Sequence, residues 1–183
     1  WGSSSQGLSS GGMYTGPSGA SYDIPDYNAN NAILNSGTLA LSTPGQFSDL
    51  AFLVTTQAGG GDVFWDATVN FSDSSSTVLN GSGVDWINTS STEVVVSGHG
   101  LGNPGGQSFY DGNLFMVERL FTLSVADQLK TVTTIDFNMV TPGTNSVLHA
   151  ISGAPAASVP EPTSVAILGL SMLGVVARRR RVA

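Results

Sequence analysis

The chain has 183 residues, enough for one domain with a real core and too few for two large ones. Only 10% of them are charged, yet residues 1–159 hold twelve acids against two bases, Arg119 and Lys130, a charge of −10. Such a body cannot displace counterions from phosphates, which argues against nucleic acid and anionic lipid as partners, and the absence of cysteine excludes disulfides, thiolate catalysis and zinc–sulfur sites.

In chain order, residues 1–20 (WGSSSQGLSSGGMYTGPSGA) are rich in Gly and Ser and bring little apolar surface, which predicts a flexible lead-in. The opening WGSSSQGL shows neither a basic start nor an apolar run, so an exported protein would have lost its leader, or the sequence is a fragment.

Residues 21–152 change to short apolar runs separated by turn residues, the pattern of an all-β antiparallel sandwich. TLALS (38–42), DLAFLVTTQ (49–57), VFWDATVNF (63–71), TEVVVSG (92–98), NLFMVERLFTLSV (113–125), KTVTTIDFNMV (130–140) and NSVLHAIS (145–152) read as its strands. In the third, Ala67, Val69 and Phe71 alternate with Asp66, Thr68 and Asn70, as one buried and one wet face require. AGGGD, SDSSS, NGSG, GHGLGNPGG and TPGT read as breakers. No long stretch of the body keeps a helical period.

A sugar site on a sandwich needs an aromatic ring to stack on the pyranose C–H face and short polar groups for its hydroxyls. Trp65, Trp86, Tyr27 and Tyr110 are the rings on offer, with Asp85, Asn88, Asn103 and Asp111 near them in sequence. Trp86, with Asp85 in SGVDWINTSS, is the leading candidate; its alternative is a core tryptophan plugging one end of the sandwich. Asp62, Asp66, Asp73 and Asp85 lie near strand ends, where a structural calcium would find oxygens, but none sits in a D-x-D-x-D-G loop and exposed turn acids explain them as well. No metal ligand and no cofactor is assigned.

No catalytic residue is assigned either. His99 reads as an exposed loop residue and His149 as a satisfied sheet residue, and nothing in the sequence ties either to a nucleophile. SGHGLGNPGG (97–106) has the glycines of a phosphate loop without the Lys-Ser/Thr that completes one, so it reads as a turn. The sequons at Asn70, Asn80 and Asn88 read as chance in a Ser/Asn-rich chain.

Residues 153–159 have the small-residue and proline content of a linker, and residues 160–183 form the tail. From Val165 to Ala177 the tail is apolar or small, predicting a short hydrophobic helix that rises roughly 20 Å, less than the roughly 30 Å of a bilayer core. Arg178, Arg179, Arg180 and Arg181 come next and would hold that end at the cytoplasmic surface.

Val159–Arg181 (VPEPTSVAILGLSMLGVVARRRR) resembles the PEP-CTERM sorting signal of Gram-negative bacteria: a Pro-Glu-Pro motif, a short apolar helix and an Arg cluster. The resemblance implies that Pro160, Glu161 and Pro162 are read by an exosortase, a membrane transpeptidase that removes the apolar segment and the Arg cluster, with this protein as substrate. Residues 21–153, through strand order and the Asp85-Trp86 step, are similar to galactose-binding-like jelly-roll modules. That likeness implies sugar binding and often a structural calcium, without fixing ligand residues. The expectation is an exported, non-catalytic protein, anchored briefly in the inner membrane and then placed at the cell surface or in the extracellular matrix. Its body would be a polysaccharide-binding module; the alternatives are a structural matrix protein and, further off, an envelope hydrolase.

Overall fold

The computed structural model describes residues 12–24, 32–57, 62–83, 85–86, 94–102 and 108–157. The chain forms an antiparallel β-sandwich, as composition and periodicity predict. One sheet has four strands: β4 (Ser36–Gly45), β6 (Val63–Phe71), β7 (Ser76–Gly83) and β10 (Val132–Met139), in the order β4-β10-β6-β7. The other has five: β3 (Ile33–Leu34), β5 (Phe47–Gln57), β8 (Val94–Gly102), β9 (Ser108–Thr122) and β11 (Asn145–Pro155), in the order β3-β11-β5-β9-β8. A separate hairpin pairs β1 (Gly12–Thr15) with β2 (Ser21–Ile24), and one helical turn, α1 (Val125–Gln128), joins β9 to β10.

The core lies between the two sheets. Trp65, Ala67, Val69 and Phe71 of β6 and Val132, Ile135 and Phe137 of β10 face Leu50, Phe52 and Val54 of β5, Val117 of β9 and Leu148 of β11. Four rings bridge the layers: Trp65 stands 5.4 Å from Phe52, 5.7 Å from Phe121 and 5.2 Å from Phe137 between centroids. The geometries are tilted or edge-on, the arrangements that ring quadrupoles favour.

Several departures from the sequence reading have physical causes. Residues 12–20, expected as part of a flexible lead-in, are ordered, because the β1–β2 hairpin lies on the outer face of the five-stranded sheet. There Tyr22 and Ile24 are buried against Ala51, Leu53 and Met116. This explains the unbroken apolar run of β5: Leu50–Thr56 are all buried, since the strand is covered on both faces. SDSSS is a turn, with Ser74 at φ 68° and Asp73 Oδ1 accepting from the Ser75 backbone at 2.9 Å, but NGSG belongs to β7. Its glycine is there for space: a Cβ on Gly81 would collide with the Trp65 ring. His99 is likewise no loop residue, because β8 continues through Gly102 and sets it opposite Leu114. The expected linker starts late, since Gly153–Pro155 extend β11 along β5; β3 covers only Val147 and Leu148, so Pro155 sits where no ladder donor is needed.

Candidate functional site

Strand alternation decides which aromatic rings meet solvent. Trp65 is fully buried, its Nε1 finding no hydrogen-bond partner among the described residues; a ring so enclosed cannot stack on a sugar, and the expectation that it lines a ligand site is corrected. Trp86 is 8% exposed and pinned by its backbone, its N–H donating to Thr56 O at 2.8 Å and its carbonyl accepting from Phe115 N at 3.0 Å. Asp85 beside it bridges to Thr56 and is half-buried. Trp86 thus packs as the core alternative anticipates. Tyr110 lies on β9 opposite Leu101 of β8, and Asp111 is next to it on the same strand. Tyr27, Asn88 and Asn103 lie outside the described residues, as do Pro160, Glu161, Pro162 and Arg178–Arg181 with the expected tail helix.

The residue that alternation puts outside is Phe64. It is 53% exposed on the outer face of the four-stranded sheet, one position from the buried Trp65. That face is a grid of mostly short polar side chains held in register: Ser36, Asn138, Asp66 and Asn80 form one row, and Thr38, Asp136, Thr68 and the apolar Val78 the next. Asp136 organises it, accepting from Thr38 Oγ1 at 2.5 Å and Asn70 Nδ2 at 2.8 Å, and these bonds hold its carboxyl below the ordinary range. The sequence contained the signal, since the parity that sends Ala67 and Val69 inward also sends Val63 and Trp65 inward and Phe64 outward.

On the opposite side of the molecule Glu118 is buried beneath the hairpin. Its carboxylate accepts from Ser18 N at 2.8 Å, Ser18 Oγ at 2.9 Å and Tyr22 Oη at 2.7 Å. Burial, then the bond and charge of Glu118, push the Tyr22 phenol well above its ordinary value. Near one side of the hairpin a groove of about 520 Å³ is lined by Asp23, Ile33, Leu41, His149 and Ile151, where His149 Nε2 lies 2.8 Å from Thr55 Oγ1.

The aspartates considered for calcium are dispersed: Asp62 precedes β6, Asp66 is on the outer grid, Asp73 is in the β6–β7 turn and Asp85 is beside Trp86. Among the described residues no three His, Asp or Glu side chains gather as a cation site would need. Also among them, no helix is long and apolar enough to cross a membrane.

A comparison of the chain with curated proteins gives no match. A family model does match its end: residues 158–181 fit the PEP-CTERM protein-sorting motif. The chain therefore carries, behind its sandwich, the PEP-CTERM sorting signal of an exported protein that is held transiently in the membrane and processed by exosortase.

Proposed function

We propose that this protein is a structural component of the cell surface or extracellular matrix, its sandwich non-catalytic and without a cofactor. The observation that carries this is the sorting motif at residues 158–181, which directs an acidic, two-layered sandwich out of the cell. The packing of Trp65 and Trp86 favours the structural reading over a sugar cleft built on those rings. The test is made in the native host: replace Pro160, Glu161 and Pro162 by alanine and analyse surface and membrane fractions by mass spectrometry. Wild-type surface material is expected to lack the peptide ARRRRVA, and the triple variant to keep it and stay in the membrane. Intact tails on wild-type surface protein would defeat the sorting half of the reading.

A second reading, polysaccharide recognition, is favoured by one specific observation: the exposed Phe64 ring beside Asp66, Asn80 and Asn138 on the outer face of the four-stranded sheet. An exposed ring next to hydroxyl-bonding groups is the minimum that sugar stacking needs.

A further inference from the structure

The four-stranded sheet ends in β4 on one side and β7 on the other. An edge strand presents a row of unpaired N–H and C=O groups that accepts another strand, and proteins blunt such edges with charges, proline, bulges or short length. In the five-stranded sheet, edge β3 is only two residues long, and edge β8, nine residues long, is broken by repeated register shifts against β9. β4 contains Pro44, and its register against β10 shifts between Val132 and Thr134. β7 has none of these devices. Its eight residues, STVLNGSG, include no charge and no proline, and Ser76–Gly83 pair with β6 in unbroken register. The carboxylates of this sheet stand on its interior strands instead, Asp66 on β6 and Asp136 on β10. Val78, in the middle of β7, is 52% exposed on the outer face. Its far end is engaged, where Arg119 Nε donates to Ser82 O at 2.5 Å; among the described residues no other strand pairs with β7 on that side.

We propose that β7 is the strand through which two copies of this chain join, antiparallel to its counterpart, so that two four-stranded sheets become one. Charge selects the occupant. Residues 1–159 carry −10, so two copies repel over most approaches, and a charge-free edge is where they meet without opposing like charges. A strand paired antiparallel with its own copy about a two-fold axis needs no second complementary surface, and each Val78 gains a cross-strand neighbour. This deepens the structural reading above by naming the partner, and it is tested on purified protein, so it can fail while sorting stands, or stand while sorting fails.

The experiment measures the mass of the full chain in mild detergent by sedimentation, over concentrations up to about 1 mM, where even weak interfaces form. Hydrogen exchange is followed in parallel. The expected result is a two-chain species whose formation slows exchange at the β7 amides. Val78→Lys, which places a like charge on each edge, is expected to raise its dissociation constant by at least about tenfold, while Val78→Thr, which keeps the β-branched shape, leaves association in place. Far-ultraviolet circular dichroism checks that both variants stay folded. A single chain at all concentrations would overturn the proposal. So would association that Val78→Lys does not weaken and that leaves β7 exchange fast, which would assign the contact to the tail, or to β4 or β8 if the amides of that edge were slowed.

Discussion

Tyr22 Oη donates to Glu118 Oε1 at 2.7 Å, joining residues 96 positions apart and fastening the β1–β2 hairpin to β9. The hairpin turn is tied to the same carboxylate through Ser18, and the fit leaves no room for a Cβ on Gly16, which would collide with Glu118. Removing the phenol oxygen leaves a buried carboxylate short of one donor, a loss of about 1–3 kcal/mol. Tyr22→Phe is therefore expected to lower unfolding stability in urea by that amount, with the amides of residues 12–24 gaining exchange first. A variant as stable as wild type would show that the apolar contacts of Tyr22 alone hold the hairpin.

The same pair predicts an alkaline limit. Because the folded-state phenol is pushed above its ordinary value, its contribution to stability is complete below pH of about 10, where the unfolded chain begins to lose this proton, and falls as pH rises further. Wild type should lose stability above that pH more steeply than Tyr22→Phe. Parallel curves in a pH series of urea titrations would rule this out.

On the acid side the sign reverses. Asp49 is held below the ordinary carboxylate range by Thr122 Oγ1 at 2.6 Å and Ser48 Oγ at 2.7 Å, and Asp136 by Thr38 and Asn70. Their contribution is present above pH of about 4 and is lost as pH falls through their lower folded-state values. Both groups are close to solvent, so a shallow slope is expected. Asp49→Asn with Asp136→Asn should flatten it, and a double variant with the wild-type acid slope would exclude these carboxylates as its source.

Gly81 lies under Trp65 with no space for a methyl group. Gly81→Ala is expected to cost roughly 1–3 kcal/mol, the usual penalty of overpacking a core, and to shift Trp65 fluorescence as the ring is displaced. Unchanged stability would mean that the Trp65 cluster yields more easily than its four-ring packing implies.

For the polysaccharide reading, Phe64→Ala removes the exposed ring while leaving Trp65 in the core. On a panel of neutral polysaccharides, wild type is expected to bind saturably and Phe64→Ala to lose most of that binding at unchanged thermal stability, whereas Trp86→Ala acts by destabilising the fold. Absence of binding by wild type would leave the structural reading alone.

Local pattern made much of the sandwich legible: the alternation in β6 placed its core face, and the SDSSS turn was visible in its residue types. What stayed hidden depended on contacts between distant segments. β7 was missed because its glycines look like turn residues until Trp65 is seen to fill the space above Gly81. The hairpin was missed because Gly- and Ser-rich strands gain order only by docking, here on Glu118 and the second face of β5. Trp86 had two readings in the sequence, a ring for ligands or a core plug, because a sequence shows the ring and not what surrounds it.

By itself the sequence determined the address and the class. A sorting signal is read as a linear string, and strand alternation is a local property of period two, so neither needs a fold to be seen. Only the tertiary structure decided which aromatic rings face water, which carboxylate is buried and which strand is left at an edge. Those are relations between segments tens of residues apart, fixed when two sheets and a hairpin close on one another.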